Sequence, residues 1–151
     1  MNDLVIRRAG AGDIEVIARN NVALARESEA KRLNAATVRH GTRVLLEDPS
    51  KGFYLVAERS GAVVGQLMIT MEWSDWRNAT FWWIQSVYVV PRVRSRGVFR
   101  ALYEHVVALA KRRRDVCGLR LYVEANNVGA RKAYRTLGMH RASYHVYETG
   151  L

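Results

Sequence analysis

The chain has one cysteine, Cys117, among its 151 residues, so no disulfide can form within it. A lone thiol is typical of proteins in a reducing compartment, and a cytoplasmic location is expected. No apolar run approaches the roughly 20 residues that cross a bilayer. Residues 1–6 lack a basic segment followed by a long apolar one, so neither a membrane span nor a signal peptide is predicted.

Metal-site spacing is also missing from the sequence. It contains no His-Glu-x-x-His motif and no cysteine pair, and its four histidines are isolated: His40, His105, His140 and His145. Zinc sites need such clustered ligands. We therefore predict that the protein holds no metal.

Acidic residues are scarce, with 14 Asp and Glu against 24 Lys and Arg and a net charge of +10. Such an excess indicates an anionic partner, and nucleic acid is one candidate. The basic residues are scattered rather than gathered in one tail, so nucleic acid is not favoured. About half of the residues are apolar, which predicts a single folded domain over 1–151 with a real core.

The most informative segment runs from Val87 to Leu102. An apolar strand enters a basic turn, and the turn opens directly into an amphipathic helix. The first N–H groups of a helix lack intrahelical partners, and the helix dipole is positive there. With Arg94, Arg96 and Arg100 nearby, the turn suits an anion, phosphate above all. Its glycine, Gly97, would let the backbone approach that ligand. The alternative is a solvated basic helix start.

A second segment, residues 126–139, reads as a capped helix. Asn127 suits the N-cap, and Gly138 suits the left-handed position that ends a helix. The apolar positions between them recur at the spacing of one helix face: Ala130, Ala133, Tyr134 and Leu137. Taken alone, the segment is an ordinary helix with a core tyrosine.

Together the two segments resemble motifs of the GCN5-related N-acetyltransferase (GNAT) superfamily. The first resembles the acyl-CoA loop, Arg/Gln-x-x-Gly-x-Gly/Ala, with Arg94 and Gly97 in place and Phe99 where a small residue is usual. The second resembles the later motif Asn-x-x-Ala-x-x-x-Tyr-x-x-x-Gly-Phe. Its matching positions are Asn127, Ala130, Tyr134 and Gly138, with Met139 in place of Phe.

The order of the predicted elements resembles the GNAT fold as well. Periodicity predicts strands over 3–8, 52–58, 62–71, 80–90, 119–124 and 139–147, and helices over about 12–30, 34–47, 97–114 and 127–137. The resemblance implies an α/β (α+β) fold. It has a mixed, mostly antiparallel sheet of about six strands, helices on both faces, and splayed fourth and fifth strands.

The resemblance implies an N-acetyltransferase that moves an acetyl group from acetyl-CoA to a primary amine by direct attack in a ternary complex. Strand backbone would bond the pantetheine amides, the basic loop would bind the pyrophosphate, and Tyr134 would act as general acid near the sulfur. The implied cofactor-binding residues are Val87, Tyr88, Val89, Arg94, Ser95, Arg96, Gly97, Val98, Phe99, Arg100, Asn127 and Tyr134. The CoA phosphates would account for part of the positive charge.

A general base is harder to assign, because the strand before the loop has no carboxylate. Gln85 cannot take a proton, so Glu72 on the preceding strand is the best candidate. It could instead be a solvated carboxylate, with water or an already neutral amine removing the need for a base.

The acceptor site is expected around Glu72, Trp73, Asp75, Trp83 and Gln85. Aromatic rings beside carboxylates would suit a cationic amine, although the tryptophans could simply cap the sheet. Trp82 and Trp83 are neighbours on one strand and cannot face the same core. The acceptor's identity is not readable. A non-catalytic acyl-CoA-binding domain and a basic nucleic-acid-binding module are the alternatives, and a homodimer is left open.

Overall fold

A computed structural model describes residues 3–151. Within them lie five strands and four α-helices in the order β1 (Leu4–Arg8), α1 (Ile14–Glu29), α2 (Ala35–Glu47), β2 (Phe53–Arg59), β3 (Ala62–Ser74), β4 (Ala79–Val89), α3 (Val98–Lys111), β5 (Val116–Leu121) and α4 (Val128–Thr136). Short 3₁₀ turns at Ala11–Asp13 and Pro91–Val93 precede α1 and follow β4.

The strands form one sheet in the order β1-β2-β3-β4-β5. The first four strands pair antiparallel, and β5 pairs parallel to β4. The turn between β2 and β3 has positive φ at Ser60 (51°) and Gly61 (76°), which suits the twist of a tight hairpin. A parallel pair needs a crossover, and α3 supplies it.

Helices cover both faces of the sheet because β2 buries both of its sides. Phe53 and Leu55 face the core shared with α3, whereas Tyr54 and Val56 face the core shared with α1 and α2. Fully buried Leu102 and its neighbours on α3 complete the first core. This arrangement confirms the predicted α/β class and the mixed, mostly antiparallel sheet.

A β-bulge interrupts β4 at Ser86. The register passes from Met68 opposite Gln85 to Gln66 opposite Tyr88, so β4 carries one extra residue there. Ser86 has φ of 51°, and such bulges bend a strand and re-aim the side chains beyond the bend. As a result Ile84 and Val87, three residues apart, both contact the core beneath α3.

A network of side-chain amides adjoins this bulge, and two of its members, Asn20 and Gln66, are buried. The Asn20 Nδ2 donates to Gln66 Oε1 at 3.0 Å, and Gln66 Nε2 donates to Asn21 Oδ1 at 3.0 Å and to the Ser86 carbonyl at 3.5 Å. The Asn21 Nδ2 donates in turn to the Tyr54 hydroxyl at 2.9 Å. Buried polar groups need such partners, so the network fixes α1 and β3 against the bulge.

The predicted last strand, 139–147, is wrong. No helix or strand follows α4 in the described chain, and Tyr144, Val146 and Tyr147 are exposed. Their alternating pattern favours a strand locally, but a strand also needs a ladder partner and a face to bury. The segment has neither, so the sheet has five strands.

Two further findings concern residues 3–151. No helix among them is long and apolar enough to cross a bilayer. No three His, Cys, Asp or Glu side chains in that range lie together in a way that would hold a metal ion.

Candidate functional site

Strands β4 and β5 separate at the middle of β4. Their pairing ends with Ile84 opposite Leu121, whereas β4 continues to Val89. On the side of β5, the backbone from Gln85 to Val89 therefore has no strand partner. Backbone N–H and C=O groups need hydrogen bonds, so this edge can bind an extended ligand as it would bind another strand.

A cleft of about 270 Å³ lies along this free edge. Its wall brings together Val87, Tyr88 and Val89 of β4 with Arg94 of the following loop and Asn127 at the start of α4. The opposite wall is α1, through Leu24, Glu27 and Ser28. The two sequence motifs, about 30 residues apart, thus meet in one place.

The loop before α3 takes a conformation that favours glycine. Gly97 has φ of 81° and caps α3 at its N-terminus, and Ser95 has φ of 62°. A Cβ at Gly97 would meet no atom within 4 Å, so the space beside it is open. The first backbone N–H groups of α3 have no intrahelical partner. Together with exposed Arg96 they offer hydrogen-bond donors and positive charge, the features that suit an anion.

Arg94 lies across the cleft. Its Nε donates to the Val89 carbonyl at 2.8 Å, and its Nη2 pairs with Glu27 at 2.9 Å. The guanidinium carbon is also 5.3 Å from the centre of the Tyr88 ring. Burial, followed by the charge of Glu27, raises the pKa of the Tyr88 hydroxyl. Arg94 therefore occupies a carbonyl that an extended ligand would otherwise use.

Tyr134 lies against the loop through Phe99. The two rings meet edge to face, with centroids 5.6 Å apart. Burial raises the pKa of the Tyr134 hydroxyl, so it stays protonated at neutral pH. Asn127 Oδ1 accepts a hydrogen bond from the Ala130 N–H at 3.1 Å, the expected N-cap, and Gly138 has φ of 92°. The unusual Phe99 thus packs against Tyr134.

Where β4 and β5 are still paired, just before they separate, five side chains from β3, β4, β5 and the residue after β5 form what we call the splay patch: Glu72, Phe81, Trp83, Arg120 and Tyr122. Glu72 Oε1 accepts hydrogen bonds from Trp83 Nε1 at 2.8 Å and from Arg120 Nη1 at 3.0 Å. The Trp83 and Tyr122 rings stack with centroids 4.4 Å apart. The Glu72 side chain is exposed.

Arg120 belongs to the splay patch, although no sequence pattern singles it out. Its guanidinium carbon lies 3.6 Å from the Phe81 ring centre. Gly118 makes room for that ring, since a Cβ there would come within 2.8 Å of it. Only the β4–β5 register, which places Trp83 opposite Arg120, brings the arginine to Glu72. No local sequence signal carries that information.

The structure separates some residues that the sequence grouped. Trp73 follows Glu72 within β3 and so faces the other side of the sheet. Asp75 lies in the next turn, where its Oδ1 accepts from the Trp76 N–H at 2.9 Å. The suggested pocket of Glu72, Trp73 and Asp75 does not form. Gln85 lies on the face of Trp83 and donates to Thr70 Oγ1 at 2.6 Å.

A larger polar depression of about 520 Å³ lies between the start of α1, the β2–β3 hairpin and the segment after β4 that contains Val90 and Arg92. Its Arg7 is already paired with Asp13 and Glu58. The two sequence motifs do not meet there, so the cleft beside β4 is the better candidate.

Comparison with known proteins agrees with this geometry. The model of the acetyltransferase (GNAT) family matches residues 21–139. A possible acetyltransferase from Clostridium difficile 630 is 40% identical, with a TM-score of 0.93 over 98% of this chain and 97% of that chain. No curated protein matches the sequence.

More distant solved structures share the fold. A predicted acetyltransferase with acetyl-CoA from Clostridium acetobutylicum is 16% identical, with a TM-score of 0.79 over 97% of this chain and 96% of that one. A GCN5-related N-acetyltransferase from Ralstonia eutropha JMP134 is 22% identical, with a TM-score of 0.77 over 97% and 98%.

Proposed function

The chain belongs to the GNAT family of acetyltransferases, and on that premise we propose that it transfers an acetyl group from acetyl-CoA to a primary amine by direct attack in a ternary complex. The observation that carries this proposal is the unpaired edge of β4. It borders a cleft that residues of both sequence motifs line.

The residues present fit an acyl-CoA. The backbone of Val87, and that of Val89 once Arg94 releases its carbonyl, matches the amides of a pantetheine arm, and the cleft follows that edge. The loop from Arg94 to Arg100 offers helix N–H groups and cationic side chains to the phosphates. When bound, the cofactor supplies an acyl group activated as a thioester.

Holding donor and acceptor side by side accounts for much of the rate in such a reaction. The free edge of β4 fixes the donor, and the splay patch lies at the end of the same gap. Tyr134, whose pKa burial raises above its ordinary value, supplies a proton to the departing thiolate. The edge-to-face contact with Phe99 holds the Tyr134 ring in place.

On the acceptor side, Glu72 receives the proton of the attacking amine. Trp83 and Arg120 both bond its Oε1, which fixes the carboxylate and leaves Oε2 for the amine. The second possible role of Glu72 is attraction of a cationic acceptor, and the kinetics of a Glu72→Gln variant distinguish it from proton transfer.

The test is release of free CoA thiol from acetyl-CoA with a panel of primary amines, together with calorimetric binding of CoA. We expect binding and amine-dependent release. Binding with no turnover on any amine would instead favour the non-catalytic acyl-CoA-binding domain. Absence of binding would refute the assignment of the cleft.

A further inference from the structure

We propose that the acceptor carries a carboxylate next to its amine, as an amino acid does, and that Arg120 binds this carboxylate while Glu72 faces the amine. The proposal rests on the acetyltransferase function proposed above. It adds the chemical class of the acceptor and a specificity-determining residue.

The position of Arg120 is the first support. It lies opposite Trp83, one residue pair before β4 and β5 part after Ile84 and Leu121. A side chain at that point borders the gap where the donor's thioester would end. Arg120 therefore stands beside the reacting atoms rather than on a remote surface.

The state of its guanidinium is the second support. Its central carbon lies over the Phe81 ring, 3.6 Å from the ring centre, and 5.7 Å from the Tyr144 ring centre. Within residues 3–151 its one side-chain hydrogen bond goes to Glu72. An arginine has five N–H donors, so others remain for a ligand. A planar guanidinium fixed in this way suits two-point binding of a carboxylate.

The neighbouring carboxylate is the third support. The charges of Glu72 and Arg120 are 3.0 Å apart at their closest atoms and both side chains reach solvent. An exposed ion pair of this kind adds little to stability. An amine and a carboxylate on adjacent atoms would match the pair, with the amine at Glu72 Oε2 and the carboxylate at Arg120.

The remaining surroundings agree with this class of acceptor. The stacked rings of Trp83 and Tyr122 form an apolar wall for a carbon skeleton. The chain's net charge of +10 attracts anionic ligands and disfavours polycations. A polyamine would place a second positive charge near Arg120, and the repulsion between the two would weaken its binding.

The experiment compares free amino acids with their carboxamides as acceptors, by thiol release at saturating acetyl-CoA. More of the carboxamide's amine is neutral at a given pH, so intrinsic reactivity favours the amide. We expect the reverse, with kcat/KM higher for the free acid by about 10- to 100-fold, as befits a charge-assisted contact.

Arg120→Gln should remove this preference through a higher KM for the acid. Loss of its hydrogen bond to Glu72 lowers the acid and amide rates alike, so the ratio of the two kcat/KM values isolates carboxylate binding. Arg120→Lys should restore part of the preference. Arg77→Gln is the matched control, since Arg77 also lies over Phe81, at 5.0 Å, and its loss removes the same charge. It should leave the preference intact.

Binding of the free acids and the amides to the protein saturated with CoA is measured alongside. Equal use of both series, or equal effects of the Arg120 and Arg77 substitutions, would overturn the inference. If neither series releases thiol but the acids alone still bind, the acetyltransferase proposal fails and carboxylate recognition stands. If neither series binds or reacts, the carboxylate inference is refuted.

Discussion

Asn20 in α1 donates a hydrogen bond at 3.0 Å to the side chain of Gln66, a fully buried amide in the middle of β3. The same Gln66 reaches the carbonyl of Ser86, the bulged residue of β4. Gln66 thus links α1, which lines the cleft, to the β-bulge at Ser86, which bends the free edge of β4. Its replacement should affect both stability and the site.

We predict that Gln66→Leu lowers the free energy of unfolding by about 1–3 kcal/mol, because buried Asn20 and partly buried Asn21 each lose a hydrogen-bond partner. Urea denaturation measures the change. Gln85→Leu is the control, since Gln85 is only partly buried and has one side-chain bond, to Thr70. An equal loss in both variants would contradict the special role of the buried network.

Acid should destabilise the protein partly through Asp13. A hydrogen bond from Arg7, and another from the Gly10 N–H, lower the pKa of Asp13 below its ordinary value. A carboxylate with a lowered folded-state pKa contributes stability above its unfolded pKa of about 3.9, and the contribution is lost as the pH falls through the folded value.

Asp13→Asn should therefore be less stable than the parent at pH 7, and the difference should shrink below about pH 4. Denaturation midpoints measured from pH 7 to pH 3 check this. A difference that stays constant across that range would mean that Asp13 acts by packing alone.

For the loop, we predict that Gly97→Asp weakens CoA binding by at least about tenfold, because it adds a negative charge beside the phosphates. The left-handed φ of 81° also strains any other residue there. Gly97→Ala has the strain without the charge, and the open space at the site means no clash. Calorimetry on both variants separates the two effects. Equal CoA affinities of the Gly97→Asp and Gly97→Ala variants would mean that the phosphates do not bind at this loop.

Tyr134→Phe should reduce turnover by about 100-fold while CoA affinity is kept, if the hydroxyl is the proton donor. The ring and its contact with Phe99 remain. Tyr103→Phe is the control, since that ring also lies near Phe99, at 6.2 Å. Steady-state kinetics with a saturating amine check the prediction. Near-normal turnover of the Tyr134→Phe variant would mean that Tyr134 contributes only to packing.

Glu72→Gln should lower the rate most near neutral pH if Glu72 accepts the amine proton. The loss should shrink as the pH rises and more of the acceptor is already neutral. If Glu72 only binds the amine, KM should rise with kcat nearly unchanged. A pH–rate profile distinguishes these results, and a profile equal to that of the parent in both parameters would exclude either role.

The parts of the fold that depend on short stretches of chain are predictable from sequence. The caps at Asn34 and Asn127 bond residues three positions away, and the glycine at 138 ends its helix as its spacing indicates. The loop around Gly97 and the helix around Tyr134 each carry a local motif. Their meeting in one cleft follows from the family resemblance.

Features set by pairing between distant strands are not predictable in the same way. The bulge at Ser86 and the contact of Arg120 with Glu72 both depend on register, which local patterns do not specify. The grouping of Trp73 with Glu72 fails because neighbours on a strand point apart. The segment 139–147 has strand-like residues but no partner strand, so its local pattern is misleading.

The contact of Arg94 with the Val89 carbonyl and Glu27 has a consequence for salt dependence. A ligand that binds the Val89 carbonyl or the Arg94 guanidinium must first break the ion pair between Arg94 and Glu27. Added salt weakens that pair as well as the attraction between phosphates and cations. The two effects oppose each other, so CoA affinity should fall less steeply with ionic strength than a protein of charge +10 would suggest.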